Sequence, residues 1–418
     1  LNTDFAGPQL LEVLEHERVT AVVHDQEFAE LFERFGGPRI VAWHESEPGA
    51  PTLGSLIELG SEPAPAPRSP GQVIVLTSGT TGTPKGAKRT IRPWSLAPLA
   101  VAGLLDLGRI RRPPRSGDPF IVAPPLFHLF GLATTMAALG LGSPIVIRRR
   151  FDPEAALVEI ERHHAGALMA VPTMLARIME LPDATRRRYD CSSLRMIVSG
   201  AAPLSADLAR GLMQEFGDIL YNGYASTETG AGTLATPVDL RTAPGTVGKP
   251  YAGARIRILD DTGRELPAGE TGRIFIGSPL LFEGYTSGGS KETIDGLMCT
   301  GDLGHFDTAG RLFVDGRDDD MIVSGGENVF PQEVEDLLTA HAAVADAGVF
   351  GVPDEDFGQR LEAQVVLTPQ ASVSEGELKT YVREHLARYK VPREIEFVSE
   401  LPRTQTGKLQ RRRLSESR

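Results

Sequence analysis

The sequence predicts an α/β protein: a large N-terminal domain with mainly parallel sheets flanked by helices, a small β subdomain, and a small α+β C-terminal domain. Three observations predict it. Short β-branched runs alternate with amphipathic stretches between residues 21 and 171, the pattern of a parallel sheet covered by helices. Between 247 and 314 the texture turns to strands of period two. After Asp318-Asp319-Asp320, helix-like and strand-like stretches mix again.

Taken in order, Ala21-Val22-Val23 and Ile40-Val41-Ala42 read as strands on either side of a helix over 28–35. Residues 61–71, rich in proline and alanine, read as a linker. Val73-Ile74-Val75-Leu76 follows as a buried strand. The basic, proline-rich stretch 109–117 is a solvated loop, and strands are expected at 119–123, 143–147 and 167–171 with a helix at 153–163. In the β region, 254–259 alternates cleanly, Asp261-Thr262-Gly263 turns the chain, and 272–277 returns it. Helices are expected at 331–340 and 374–387. A domain boundary at Asp319 divides 1–318 from 319–418.

A chain of 418 residues is too long for one compact core. Its 41% hydrophobic and 23% charged content is that of an ordinary globular protein. A net charge of −12 argues against a nucleic-acid partner, and no apolar run is long enough to span a bilayer, which leaves only peripheral membrane contact open. Two cysteines, Cys191 and Cys299, give neither a disulfide framework nor a metal set, which suits a reducing cytoplasm. The chain opens at Leu1 and its first methionine is Met136, so a further N-terminal piece is expected ahead of it.

The richest stretch is Leu76-Thr77-Ser78-Gly79-Thr80-Thr81-Gly82-Thr83-Pro84-Lys85-Gly86. A strand opens into hydroxyls and glycines that end on one lysine. Glycine lets backbone N–H groups converge on an anion, the hydroxyls add donors, and Lys85 supplies a point charge. This is a phosphate cradle, but not a Walker loop, since no Gly-Lys-Ser/Thr stands at the required spacing. Further along, Gly200-Ala201-Ala202 offers small residues against which a flat base can lie, and Ser205 is a candidate N-cap for the helix that follows.

The wording Thr-Ser-Gly-Thr-Thr-Gly-x-Pro-Lys-Gly resembles the phosphate loop of the adenylate-forming superfamily, the acyl-CoA synthetases and AMP-dependent ligases. More motifs in the same order strengthen the resemblance: Phe127-His128, Ser199-Gly200-Ala201-Ala202-Pro203, Tyr224-Ala225-Ser226-Thr227-Glu228, Thr300-Gly301-Asp302, Gly316-Arg317 and Pro402-Arg403-Thr404-Gln405-Thr406-Gly407-Lys408. Within that superfamily the chain is read as resembling bacterial fatty-acid–CoA ligases. Ala225 stands where the family usually has glycine.

The resemblance implies ATP and Mg2+ as cofactors and coenzyme A as the acceptor of an activated carboxylic acid. It implies that residues 77–82 (Thr77, Ser78, Gly79, Thr80, Thr81 and Gly82) and Lys85 hold phosphates, while Gly200, Ala201 and Ala202 line the adenine site. Tyr224 and Ala225 would border the base, Thr227 would meet the α-phosphate, and Glu228 would bind the metal, for which one carboxylate beside phosphate oxygens suffices. Asp302 and Arg317 would hold the ribose, His128 would gate the acyl site, and Lys408 would place charge between carboxylate and α-phosphate. Asp319 would be the hinge of a mobile C-terminal domain, and Gly325 and Gly326 would border the coenzyme A channel.

The acid is expected to be apolar. Amino-acid-activating relatives place an aspartate at or just after Phe127-His128, but residues 127–133 carry no acid. A fatty acid suits Leu129, Phe130, Met136, Val171, Met174 and Gly200, with an aryl acid as the alternative. The rival from another class is a non-catalytic remnant of the same fold.

Overall fold

A computed structural model describes residues 1, 7–45, 49–60, 71–77, 85–91, 109–318, 320–324, 327–354, 358–386, 388–404 and 407–416. The chain forms two compact units: Leu1–Ser95 with Phe282–Ser290, and Leu96–Leu281 with Lys291–Arg418.

In the first unit, helix α1 (Gly7–His16) buries Leu10 and Leu14 against Val22 of strand β1 (Val22–His24) and Phe32 of a 3-10 helix, Gln26–Phe32. β1 pairs in parallel with β2 (Arg39–Val41). Helix α2 (Leu53–Leu59) starts from a capping box in which Thr52 and Ser55 exchange side-chain bonds with each other's backbone N–H. β3 (Gly71–Thr77) and β4 (Lys85–Ile91) form an antiparallel hairpin. The expectation of a buried strand at 73–76 is corrected here: Val75 is buried, but Ile74 is 39% exposed. A two-stranded ribbon has two faces, and β-branched content alone does not tell which of them is covered.

The second unit is built on a seven-stranded sheet ordered β11-β10-β9-β8-β7-β5-β6. Its parallel part comprises β5 (Phe120–Val122), β6 (Ile145–Val146), β7 (Ala167–Ala170), β8 (Met196–Gly200) and β9 (Leu220–Tyr224). β10 (Thr233–Ala235) and β11 (Lys249–Pro250) add antiparallel strands at one edge. Helices α3 (Leu129–Gly140), α4 (Pro153–His163), α5 (Pro172–Met179), α6 (Asp183–Arg186), α7 (Ala206–Phe216) and α8 (Pro237–Thr242) connect these strands. Leu157 and Ile160 of α4, Leu175 and Ile178 of α5, and Leu212 of α7 pack on Ile197 and Leu220 of the sheet. Ala138 of α3 packs on the other face with Phe120 and Tyr221.

Local chemistry sets the helix ends. Asp152 accepts a 2.7 Å bond from Ala155 N ahead of Pro153, and His164 leaves α4 at φ 47°. Ser205 caps α7 through Leu208 N, as the sequence predicts.

The β region is antiparallel: β12 (Arg255–Leu259), β13 (Gly272–Gly277), β14 (Thr293–Ile294), β15 (Leu297–Phe306) and β16 (Leu312–Arg317). The C-terminal part carries β17 (Ile322–Ser324), β18 (Glu327–Val329), β19 (Val344–Asp354), β20 (Gly358–Leu367) and β21 (Glu394–Phe397). Helices α9 (Pro331–Thr339), α10 (Glu375–His385) and α11 (Arg411–Glu416) accompany them. Its own core joins Val334, Leu338, Val349, Leu361, Leu378 and Val382. The compact units do not divide at Asp319, which lies outside the described residues. Among the described residues no helix is long and apolar enough to cross a membrane.

Candidate active site

The site is built around Asp302. The β15–β16 pairing sets Asp302 opposite Arg317, whose Nη1 lies 3.4 Å from Asp302 Oδ1. Tyr224, at the end of β9, donates its phenolic hydrogen to Asp302 Oδ2 at 2.5 Å. The aspartate's own N–H donates to Thr300 Oγ1 at 3.0 Å, and Lys291 Nζ donates to the Thr300 carbonyl at 2.6 Å. Gly301 turns at φ 83°, with Arg317 and Lys291 amines close to the place a side chain would occupy.

Burial raises the Asp302 carboxyl above its usual value, against the Tyr224 hydrogen bond and the charges of Arg317, Lys408 and Lys291. Burial also holds the Tyr224 phenol well above its ordinary value, and the Asp302 charge adds to the effect. Two carboxylate oxygens backed by cations form a receptor for vicinal hydroxyls.

Beside this cluster, β8 ends on Ser199-Gly200, and Asn222-Gly223 precede Tyr224 on β9. Ser199 pairs with Asn222 and Gly200 with Gly223 across the two strands. The Ser199 hydroxyl and Asn222 Oδ1 are buried with no hydrogen-bond partner, so this pair keeps unspent capacity where a polar ring can be met. Ala201 stands at φ 67°, a left-handed conformation rare for a residue with a Cβ. Backbone strain, orphaned acceptors and a half-buried carboxylate in one place fit a nucleoside.

Thr227 and Glu228 sit on a turn. Ser226 and Thr229 exchange side-chain-to-backbone bonds of 3.1 Å each way, and Ser278 Oγ holds the Thr229 carbonyl at 2.6 Å. This reciprocal exchange closes a turn and not a helix. Glu228 is 9% exposed, and one buried carboxylate beside phosphate oxygens fits Mg2+. Ala225 is exposed and Ala202 half-buried.

His128 occupies the N-cap position of α3 with its ring 4.5 Å from that of Phe127. Burial lowers its pKa from the ordinary 6.5, so the imidazole is neutral at physiological pH. Phe130, two residues on, lies against Gly200, where an added Cβ would approach its ring at 3.6 Å.

Lys408 is exposed, and its positive charge is among those that oppose the raising of the Asp302 carboxyl. Gly407 seats the motif that carries Lys408: it is buried at φ 77°, and a Cβ there would stand 2.4 Å from Thr173 at the start of α5.

In the first unit, Thr77 closes β3 and Lys85 opens β4, with its ammonium 5.7 Å from the centroid of the Tyr285 ring. Gly86 is fixed sterically, since a Cβ would lie 2.6 Å from atoms of Glu17, Ile74 and Thr286. Ser78, Gly79, Thr80, Thr81 and Gly82, like Gly325 and Gly326, lie outside the described residues. Sequence reasoning missed Lys291 and Thr173; an isolated lysine or threonine outside the motifs carries no signal.

Comparison with known proteins agrees with this geometry. The sequence profile described as AMP-binding enzyme matches residues 1–286, and that of the AMP-binding enzyme C-terminal domain matches 333–408. A 2-succinylbenzoate–CoA ligase of Geobacillus kaustophilus is 39% identical over 349 residues, covering 82% of this chain and 68% of that protein. A long-chain-fatty-acid–CoA ligase of Bacillus subtilis is 32% identical over 350 residues, covering 82% of this chain and 61% of that one. Among solved structures, o-succinylbenzoate CoA synthetase from Bacillus subtilis with its acyl-adenylate intermediate superposes with a TM-score of 0.82 at 31% identity, over 100% of this chain and 82% of that chain. The same enzyme has been solved with ATP and magnesium. Adenylate-forming CoA ligases use ATP, Mg2+ and coenzyme A with a small-molecule acid. With profiles over both parts of the sequence, relatives above 30% identity and a shared fold, the chain belongs to the AMP-binding enzyme family.

Proposed function

We propose that the chain activates an apolar carboxylic acid with ATP and passes the acyl group to coenzyme A. The acid's oxygen attacks the α-phosphorus of ATP, pyrophosphate leaves, and an acyl-adenylate forms. The thiol of coenzyme A then attacks the acyl carbon and AMP leaves. The observation that carries this reading is the convergence of Tyr224, Arg317 and the charge of Lys408 on one half-buried carboxylate, Asp302.

Asp302 takes the ribose hydroxyls, with Arg317 beside it, while Gly200, Ala201, Ala202, Tyr224 and Ala225 border the base. Thr227 meets the α-phosphate, and the loop from Thr77 to Gly82, with Lys85, holds the phosphates. Glu228 holds Mg2+, which neutralises phosphate charge when bound. Lys408 stabilises charge as it develops between the acid and the α-phosphate. A neutral His128 next to Phe127 and Phe130 gates the acyl site without presenting a charge to an apolar acid. The division at Asp319 as a hinge and the channel role of Gly325 and Gly326 rest on the motifs alone. Two free thiols support a cytoplasmic setting.

A fatty acid is the first reading of the substrate, in line with the apolar residues 129–130 and 174. An aryl acid is the second, favoured by the succinylbenzoate relative at 39% identity. Pyrophosphate release with acetate, dodecanoate, 4-hydroxycinnamate and 2-succinylbenzoate, with and without coenzyme A, tests both. Dodecanoate leading the panel is the expected result, and 2-succinylbenzoate leading it would transfer the assignment to the second reading. Silence with every acid would leave a non-catalytic remnant and sink the enzyme.

A further inference from the structure

The lysine motif is held by a residue outside the reacting groups. Arg403 Nη1 donates to the Gly407 carbonyl at 2.7 Å. The rest of its fork is bidentate on Asp346 of β19: Nε to Oδ2 at 2.9 Å and Nη2 to Oδ1 at 2.6 Å. The peptide bond between Gly407 and Lys408 is thus gripped on one side by Arg403. On its other side, Lys408 N donates to Thr404 Oγ1 at 3.1 Å. Thr404 N also donates to the Lys408 carbonyl at 2.8 Å, and Arg403 bridges to Leu409. β19 shifts register between Val344 and Asp346, the kind of irregularity that re-aims a side chain.

We propose that Arg403, anchored on Asp346, is a positioning residue that fixes the peptide plane from which Lys408 projects. The assignment rests on the reading of Lys408 as the adenylation lysine. Lys408 is exposed, with a long stem, so its reach to the Asp302 cluster depends on where its backbone points. An exposed ion pair alone is worth little, and Arg403 and Asp346 are 32% and 30% exposed. The geometry matters more than the charge, because one planar fork spans a carboxylate and a carbonyl together, which a lysine's single ammonium does less well. Both partners belong to the C-terminal part, so the clamp travels with Lys408 wherever that part goes.

The test separates the half-reactions in the full chain, with dodecanoate, or with 2-succinylbenzoate should that acid turn over faster. For Arg403→Ala, kcat for pyrophosphate release should fall about 10- to 100-fold with KM for ATP and acid nearly unchanged. Thioester formation from the synthetic acyl-adenylate should stay within about twofold, and the Lys408 amide should exchange hydrogen faster. The exchanged pair Arg403→Asp with Asp346→Arg restores the charges but not the grip on Gly407, and should stay slow. Full recovery in that double variant would mean that the ion pair alone acts, and would overturn the clamp. So would an unchanged adenylation rate in Arg403→Ala, or equal loss of both half-reactions. Should Arg403→Ala fail to fold, Asp346→Asn carries the same comparison, with a several-fold slower adenylation expected and an unchanged rate overturning the idea. Lys408→Ala is the control: if it adenylates normally, the functional reading fails, whereas a dead Lys408→Ala beside a normal Arg403→Ala removes only the clamp.

Discussion

The phenol of Tyr224 and the carboxylate of Asp302 share a 2.5 Å hydrogen bond that ties the end of the main sheet to the antiparallel β region. It joins two motifs 78 residues apart and sets an aromatic ring beside a two-oxygen acceptor. Removing the carboxylate in Asp302→Ala should raise KM for ATP by about tenfold or more, since hydrogen bonds to a charged group are worth roughly 1.5–3 kcal/mol. Tyr224→Phe, which keeps the ring, should raise it only several-fold. Steady-state kinetics in ATP checks both, and equal effects would contradict the ranking.

Lys408 has a narrower role. Lys408→Ala should abolish adenylate formation and largely spare thioester formation from the synthetic acyl-adenylate. Separate assays of the two half-reactions measure it, and parallel loss would contradict the assignment.

Ala201 predicts a position where glycine is tolerated and a larger side chain is not. Its φ of 67° strains any side chain, so Ala201→Gly should remove about 1 kcal/mol of strain, offset in part by the greater freedom of glycine in the unfolded chain. Thermal melts should show Tm unchanged or raised. Ala201→Val should lower it clearly.

The Arg411–Glu335 pair predicts a loss. Burial raises the Glu335 carboxyl, against the charge of Arg411, which donates to Glu335 Oε2 at 2.6 Å, and the N–H of Val349, which donates to Oε1 at 2.8 Å. Arg411→Ala would leave a nearly buried carboxylate short of its cation and should cost about 3 kcal/mol. Denaturant titration would register it, and a change under about 0.5 kcal/mol would refute the pairing argument.

His128 gives a pH signature. Its pKa is lowered on folding, so the unfolded chain takes up its proton first as pH falls through the ordinary value of 6.5. The unfolded state then binds more protons, and the histidine's contribution to stability is lost on going from neutral pH to below that value. His128→Phe should flatten this part of the Tm–pH curve. An unchanged slope would show that the ring protonates as freely in the folded state.

Much of this site was legible because it is written in loops that follow strands. Gly200 and Tyr224 close β8 and β9, where small and hydroxyl residues stand out against apolar neighbours, while Asp302 lies inside β15 and was legible from its Thr-Gly-Asp wording. Ser205 was legible for a similar reason, since a hydroxyl ahead of an amphipathic run has one obvious use. The antiparallel hairpin of β3 and β4 was not legible, because four apolar residues in a row fit a buried strand and a ribbon equally. Asp346 was invisible too: nothing about an aspartate among alanines tells that a register shift aims it at an arginine 57 residues away.

The seat of Gly407 on Thr173 has a further consequence. A bare backbone turn packed against a threonine buries few apolar atoms, so the contact is exacting in shape and shallow in free energy. It tolerates no added methyl, yet little holds it shut. A fit that is specific without being adhesive suits the domain alternation that the proposed two-step reaction calls for.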